Sequence, residues 1–165
     1  MNETLGALFL KELEAEAAAT RKCLERIPES LFGWKPHEKS MNLGYLALIV
    51  AEIPRWITYI VEKGEIDFET FGHLQPQTTA ELVSHFDDNL NGAKHALSKV
   101  SNEALGKTFF LKNKRQVLLS SSAKENVSSS INHLVHHRGQ LTVYMRLNDI
   151  PVPSIYGPSA DEKIF

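Results

Sequence analysis

Along four separate stretches of the chain, apolar side chains recur at steps of three and four residues, a period that fits a helix and no strand. The first stretch runs from Glu3 to Ile27 and puts Leu5, Phe9, Leu13, Ala17, Thr20, Leu24 and Ile27 on one side, with Pro28 as its stop. The second opens at Asn42, whose side chain suits a helix start. It turns Leu46, Ile49, Val50, Ile53, Ile57 and Ile60 inward as far as Lys63, with a bend expected at Pro54. Thr78-Thr79-Ala80-Glu81 has the spacing of a capping box and precedes a third stripe of Leu82, Phe86, Asn89 or Leu90, Ala93, Leu97 and Val100. His85 falls at the edge of that stripe and His95 outside it. Ser122-Ala123-Lys124-Glu125 offers a second capping box ahead of the fourth stretch, Ala123 to Leu147.

The intervening segments differ in kind. Gly64 to Gln77 holds Gly64, Gly72 and Pro76 without a sustained period, and is long enough to cross a bundle instead of turning tightly. Residues 101–121 are the least readable stretch: Ser101 to Ala104 suits the start of a short helical turn, and Thr108 to Leu111 or Gln116 to Leu119 suits extended backbone, without a period that fixes the structure. The loop from Leu31 to Ser40 carries Phe32, Gly33, Trp34 and Pro36 and reads as an ordered connection, with His37 in contact with solvent. Prolines 151, 153 and 158 keep the tail out of a helix, so it is expected to pack back over the helices. The pattern predicts an all-α chain, a four-helix bundle with a long crossover connection, in a single domain over residues 1–165. In that architecture metal and ligand sites are built from side chains on facing helices.

Composition narrows the function. The longest unbroken apolar run, Leu46 to Ala51, is too short for a bilayer, so no membrane partner is expected. The N-terminus lacks the basic start and apolar core of an export signal, and a cytoplasmic location follows as the expectation. A net charge of −2, with basic clusters only at Arg21-Lys22 and Lys112 to Arg115, argues against a nucleic-acid partner. The single cysteine, Cys23, precludes an internal disulfide, and its helical neighbours Thr20, Leu24 and Ile27 point to a buried thiol instead of a nucleophile.

The strongest chemical signal lies in the fourth stretch, His133-Leu134-Val135-His136-His137-Arg138-Gly139-Gln140-Leu141. His133 and His137 are four residues apart, so on a helix their imidazoles share a face and can close on one ion. Leu134 occupies the place of the glutamate in the His-Glu-x-x-His protease pattern, which removes the general base of that chemistry. At roughly 100° per residue, His136 points away from Leu134 toward solvent, while the other two face the interior or a cleft. A pair of hydrogen-bonded structural histidines would produce the same spacing.

Three segments resemble the DinB/YfiT-like family of helical bundles. They are Trp34 to Met41, Leu43-Gly44-Tyr45-Leu46-Ala47 through Pro54, and His133-x-x-x-His137-Arg138-Gly139-Gln140-Leu141 with Tyr156-Gly157-Pro158-Ser159-Ala160-Asp161-Glu162. The resemblance implies a four-helix bundle, frequently a homodimer, with a divalent metal such as zinc or nickel held by one histidine of the second helix and two of the fourth. Some such proteins use the metal to transfer low-molecular-weight thiols. His133 and His137 match the two ligands of the fourth helix. The ligand of the second helix would fall at Ile49, which has no lone pair; Glu52, three residues on, is the nearest substitute, with His85 and His37 further candidates.

Two functions follow as alternatives. One is a metal-assisted transferase or hydrolase with His133 and His137 as ligands, Arg138 pairing with an anionic substrate group, and Gln140 or Tyr144 orienting it. The other is a metal-free, non-catalytic bundle that binds a small molecule in the remnant cleft or acts through a dimer surface. The missing ligand at Ile49 leads to the expectation of weak or absent metal binding, with no catalytic residue assigned.

Overall fold

A computed structural model describes residues 3–163 of the chain. In order, the elements are α1 (Leu5–Glu25), a short 3-10 turn (Glu29–Leu31), α2 (Leu43–Glu62), β1 (Glu65–Asp67), α3 (Phe68–Phe71), α4 (Thr79–Lys99), α5 (Asn102–Gly106), β2 (Thr108–Asn113), β3 (Gln116–Ser122) and α6 (Ala123–Leu147). Each long helix begins where a side chain accepts an orphan amide. Thr4 takes the Ala7 N–H and Asn42 the Tyr45 N–H, while Thr78 with Glu81 and Ser122 with Glu125 form the two reciprocal capping boxes.

The helix α2 is the centre of the molecule, packed on one side against α4 and on the other against α6, with α1 bridging those two. Leu46, Val50, Ile53 and Ile57 of α2 meet Leu13 and Leu24 of α1, Phe86 and Leu97 of α4, and Val127, Leu134, Leu141 and Met145 of α6 in one continuous buried cluster. Burying each such side chain contributes about 1.5–3 kcal/mol, so packing more than intrinsic propensity holds these helices. By length and apolarity α2 would also pass as a membrane-crossing helix. Its longest unbroken apolar run understates this, because Glu52 and Arg55 interrupt a helix that is otherwise almost wholly apolar, and here most of its side chains lie in the core. The helix continues through Pro54.

The all-α expectation needs one correction. The chain is mostly helical, but β1, β2 and β3 form a three-stranded sheet in that order, with β1 parallel to β2 and β2 antiparallel to β3. Ile66 of β1 and Phe109 of β2 are buried and anchor the sheet to the helices. The hairpin turns at Lys114 and Arg115, both left-handed at φ 49° and 65°, the backbone that a two-residue turn requires and that asparagine or glycine usually supplies. Here the Asp67 carboxylate accepts the amides of Lys114 (3.1 Å) and Arg115 (2.9 Å), which offsets the strain. The crossover therefore contains a strand and a short helix before Gly72, itself left-handed at φ 57°.

The loop ahead of α2 closes onto it at Gly44, whose N–H donates to the Phe32 carbonyl at 2.9 Å. A Cβ at this position would lie 2.8 Å from Phe32 Cβ, so only glycine permits the approach. The C-terminal tail packs back as expected. Arg26 binds the Pro151 carbonyl at 3.0 Å and pairs with Glu162, and Arg146 pairs with Asp161 at 2.5 Å.

Candidate functional site

Tyr45, Ile49, Glu52 and Trp56 follow one another at steps of four, three and four, which keeps them on one face of α2. With Phe68, His73 of the crossover and His133 of α6 they line a cavity of about 340 Å³. Two larger hollows, of about 420 and 590 Å³, are more open and bring together loop residues or surface charges. Ile49 thus lines the same cavity as His133.

The imidazoles of His133 and His137 do meet, with their Nε2 atoms 2.7 Å apart. On the far side of His137, Nδ1 lies 2.8 Å from Gln140 Oε1. An amide oxygen only accepts, so Nδ1 of His137 carries the proton, its Nε2 accepts, and His133 Nε2–H is the donor between the rings. The result is a chain from His133 to His137 to Gln140. Trp56 packs edge-on to the His133 ring at 5.8 Å. Burial first, then the neighbouring His137 and His136, hold the His133 imidazole below the usual histidine range and favour its neutral form. His136 is exposed, as its angle on the helix foretold.

A second cluster is built around Glu52. Its side chain is 2% exposed, so it is not a surface charge. As a carboxylate it accepts the Leu74 N–H at 3.1 Å, with His73 Nδ1 2.6 Å from one oxygen and His85 Nε2 3.2 Å from the other. Both imidazoles therefore turn an N–H toward Glu52, one from the crossover and one from α4. The segment carrying His73 is fastened independently. Arg55 donates to the carbonyls of Phe71 (2.7 Å) and Gly72 (2.8 Å), its guanidinium stacks 4.3 Å over the Phe71 ring, and Phe71 meets His73 edge-on at 5.7 Å. Sequence reasoning did not single out His73, because a loop histidine has no period to reveal its facing. The one available signal was Glu52, an acid in the middle of a largely apolar helix that needs partners from elsewhere.

The remaining candidates lie away from the cavity. Arg138 is 1% exposed and turned toward α1. It is paired with Glu16 at 2.5 Å and bonded to the Glu16 carbonyl, Thr20 Oγ1 and Tyr156 OH, so the expected contact with an anionic substrate group gives way to a structural ion pair. Tyr144 packs edge-on to Trp34 at 5.5 Å and donates to the Met41 carbonyl at 3.3 Å, tying the loop ahead of α2 to α6. His37 is exposed, its Nδ1 accepting the Lys39 N–H. Cys23 is fully buried, and burial pushes its thiol up to about 11 against the pull of Arg138 and Arg26. It is a packed thiol with no nucleophilic role at neutral pH.

The donors present do not fit a three-ligand metal ion. Among the described residues no group of three or more His, Cys, Asp or Glu side chains is arranged to hold one. Ile49 offers no lone pair, and Glu52 is occupied by His73, His85 and Leu74. The separation of 2.7 Å between His133 and His137 is that of a hydrogen bond, shorter than the roughly 3.3 Å that two imidazoles on one tetrahedral ion adopt.

Similarity to known proteins agrees with this architecture. The uncharacterized protein YrdA of Bacillus subtilis (strain 168) is 28% identical over 160 residues, spanning 93% of this chain and 89% of YrdA. Among solved structures, a DinB-like protein of Bacillus cereus ATCC 10987 superposes with a TM-score of 0.72 at 24% identity, covering 94% of this chain and 100% of its own. The DinB-like protein YjoA of Bacillus subtilis gives 0.72 at 16% identity, covering 95% and 99%. A family model, that of the DinB family, matches residues 1–163, and the chain belongs to that family.

Proposed function

We propose that this DinB-family chain is a small-molecule-binding protein whose ligand site is the cavity between α2, the crossover and α6. The four long helices are read as the bundle of the family, with the sheet added at its side. The observation that carries the proposal is Ile49. At the position where the resemblance implies a third imidazole, an apolar side chain faces the same cavity as His133. A thiol transfer through a metal ion would need that ion held and oriented by three protein ligands. The same substitution leaves a pocket with aromatic and aliphatic walls and a few polar groups, the usual make-up of a ligand site.

Trp56 in the cavity wall supplies the readout. A neutral aromatic probe, nitrobenzene, is expected to quench tryptophan emission saturably, and Ile49→Trp, which fills the cavity, is expected to abolish the binding. Quenching that does not saturate, or that survives Ile49→Trp unchanged, would overturn the reading. In parallel, Ile49→His is expected to bind zinc or nickel far more tightly than the starting protein in calorimetry. Tight stoichiometric binding by the starting protein would show instead that the pair has found a third ligand.

A further inference from the structure

We infer that the Glu52–His73 pair makes this cavity selective for one-ring aromatic weak acids, phenols or thiophenols, whose O–H or S–H donates to His73 Nε2. The inference rests on the cavity's being a ligand site and adds the chemistry of its occupant.

The geometry of His73 is that of an oriented acceptor. Its Nδ1–H is committed to Glu52 at 2.6 Å, which leaves Nε2 with the lone pair. Among the described residues Nε2 has no protein partner, although the ring lines the cavity. The neighbouring imidazoles differ on this point. His133 and His137 use their Nε2 atoms on each other, and His85 uses its Nε2 on Glu52 without reaching the cavity wall. His73 is also held in place from both sides, by Arg55 on the carbonyls of Phe71 and Gly72 and by Glu52 on the Leu74 amide. An acceptor whose orientation is fixed before a ligand arrives loses little entropy on binding it.

The walls define the rest of the ligand. Tyr45, Trp56 and Phe68 offer aromatic surfaces, and a volume of about 340 Å³ lies at the small end of the range for ligand pockets, which suits a single ring. Charge then selects for acidity. When a neutral phenol or thiophenol gives its proton to His73 Nε2, no other bond forms or breaks. The imidazolium comes to lie between the ligand anion and the Glu52 carboxylate, and the net charge of the site is unchanged. The other charged or titratable groups facing this point are His133 of α6, His85 of α4 and Tyr45 and Arg55 of α2, and the Arg55 cation is already engaged by carbonyls. An opposite charge at contact distance favours the ionised ligand.

The test compares 4-nitrophenol, whose anion is read by its visible absorbance, with nitrobenzene, which lacks the hydroxyl. At a pH below its free ionisation 4-nitrophenol is expected to bind at least about tenfold more tightly, and when bound to ionise about one pH unit lower than in solution. His73→Phe and Glu52→Gln are each expected to lose both the preference, read within each variant as the ratio of its affinities for the two probes, and the shift. Because His73 lies on an exposed segment, its variant reports even if Glu52→Gln folds poorly. Equal affinity for the two probes, or a preference that persists in His73→Phe, would overturn the inference while leaving the cavity a ligand site. Failure of both probes to bind would remove the cavity reading and this inference together.

Discussion

Glu16 and Glu52 are both largely buried carboxylates on long helices, and each gathers donors from other elements, yet they make opposite kinds of site. The Glu16 cluster is closed: Arg138 spends its guanidinium on Glu16, Thr20 and Tyr156, and the Tyr156 hydroxyl lies 3.0 Å from both Glu16 oxygens. Burial first, and then the bond to Glu16, raise the Tyr156 phenol above its ordinary value, so it stays protonated and keeps donating. The Glu52 cluster is open, since its partner His73 lines a cavity and its Nε2 has no protein partner among the described residues. What separates a structural charge from a candidate site is therefore whether its network uses up every donor and acceptor. Burial alone does not distinguish them.

Mutation should expose the same contrast. Replacing Arg138 by Met leaves a mostly buried carboxylate without its cation and unties the tail at Tyr156, so a loss of about 3–5 kcal/mol is expected in urea denaturation. Glu52→Gln keeps an acceptor for the Leu74 amide and weakens only the bonds to the two imidazoles, for an expected loss of about 1–3 kcal/mol. If Glu52→Gln proves the more damaging of the two, the open cluster is as structural as the closed one and the comparison fails.

The smallest effect concerns pH. Because the His133 imidazole is held below the ordinary histidine value of 6.5, the folded chain takes up that proton less readily than the unfolded chain. The stability it contributes is full above pH 6.5 and falls as the pH drops below that value. The midpoint of urea unfolding should decline between pH 7.5 and 5.5, and the decline should be shallower in His133→Gln. An equal slope in the two proteins would mean that His133 titrates as freely folded as unfolded.

The paired segments of the resemblance that are far apart in sequence, His133 to Leu141 and Tyr156 to Glu162, are joined physically. Arg138 bonds Tyr156, Arg146 bonds Asp161, and Glu162 pairs with Arg26 of the first helix's end. Their joint presence reflects the docking of the tail, and the cavity draws only His133 from the two segments. This is why Arg138, read from the sequence as a substrate contact, turns out to be among the largest fully buried side chains. The spacing of His133 and His137 was legible because four residues on a helix have one relative position, whereas the facing of Arg138 depended on which helix lay beside it.

Local order could be read along the chain because it depends on near neighbours. The limits of α6 and the capping residues Asn42, Thr78 and Ser122 follow from side chains within a few positions, whereas residues 101–121, with no sustained period, left α5, β2 and β3 open. The sheet itself was out of reach. Its first strand is three residues long, and its hairpin turns at Lys114-Arg115 without glycine, stabilised by Asp67 from a strand more than forty residues away. The site divides along the same line. Ile49 and the histidine pair are matters of helical phase, written in residue spacing. The meeting of Glu52 with His73 and His85, and of Glu16 with Arg138 and Tyr156, joins charges from distant segments. Such partners are chosen by the packing that removes them from water, because a buried charge must be satisfied by whatever polar group the fold brings to it.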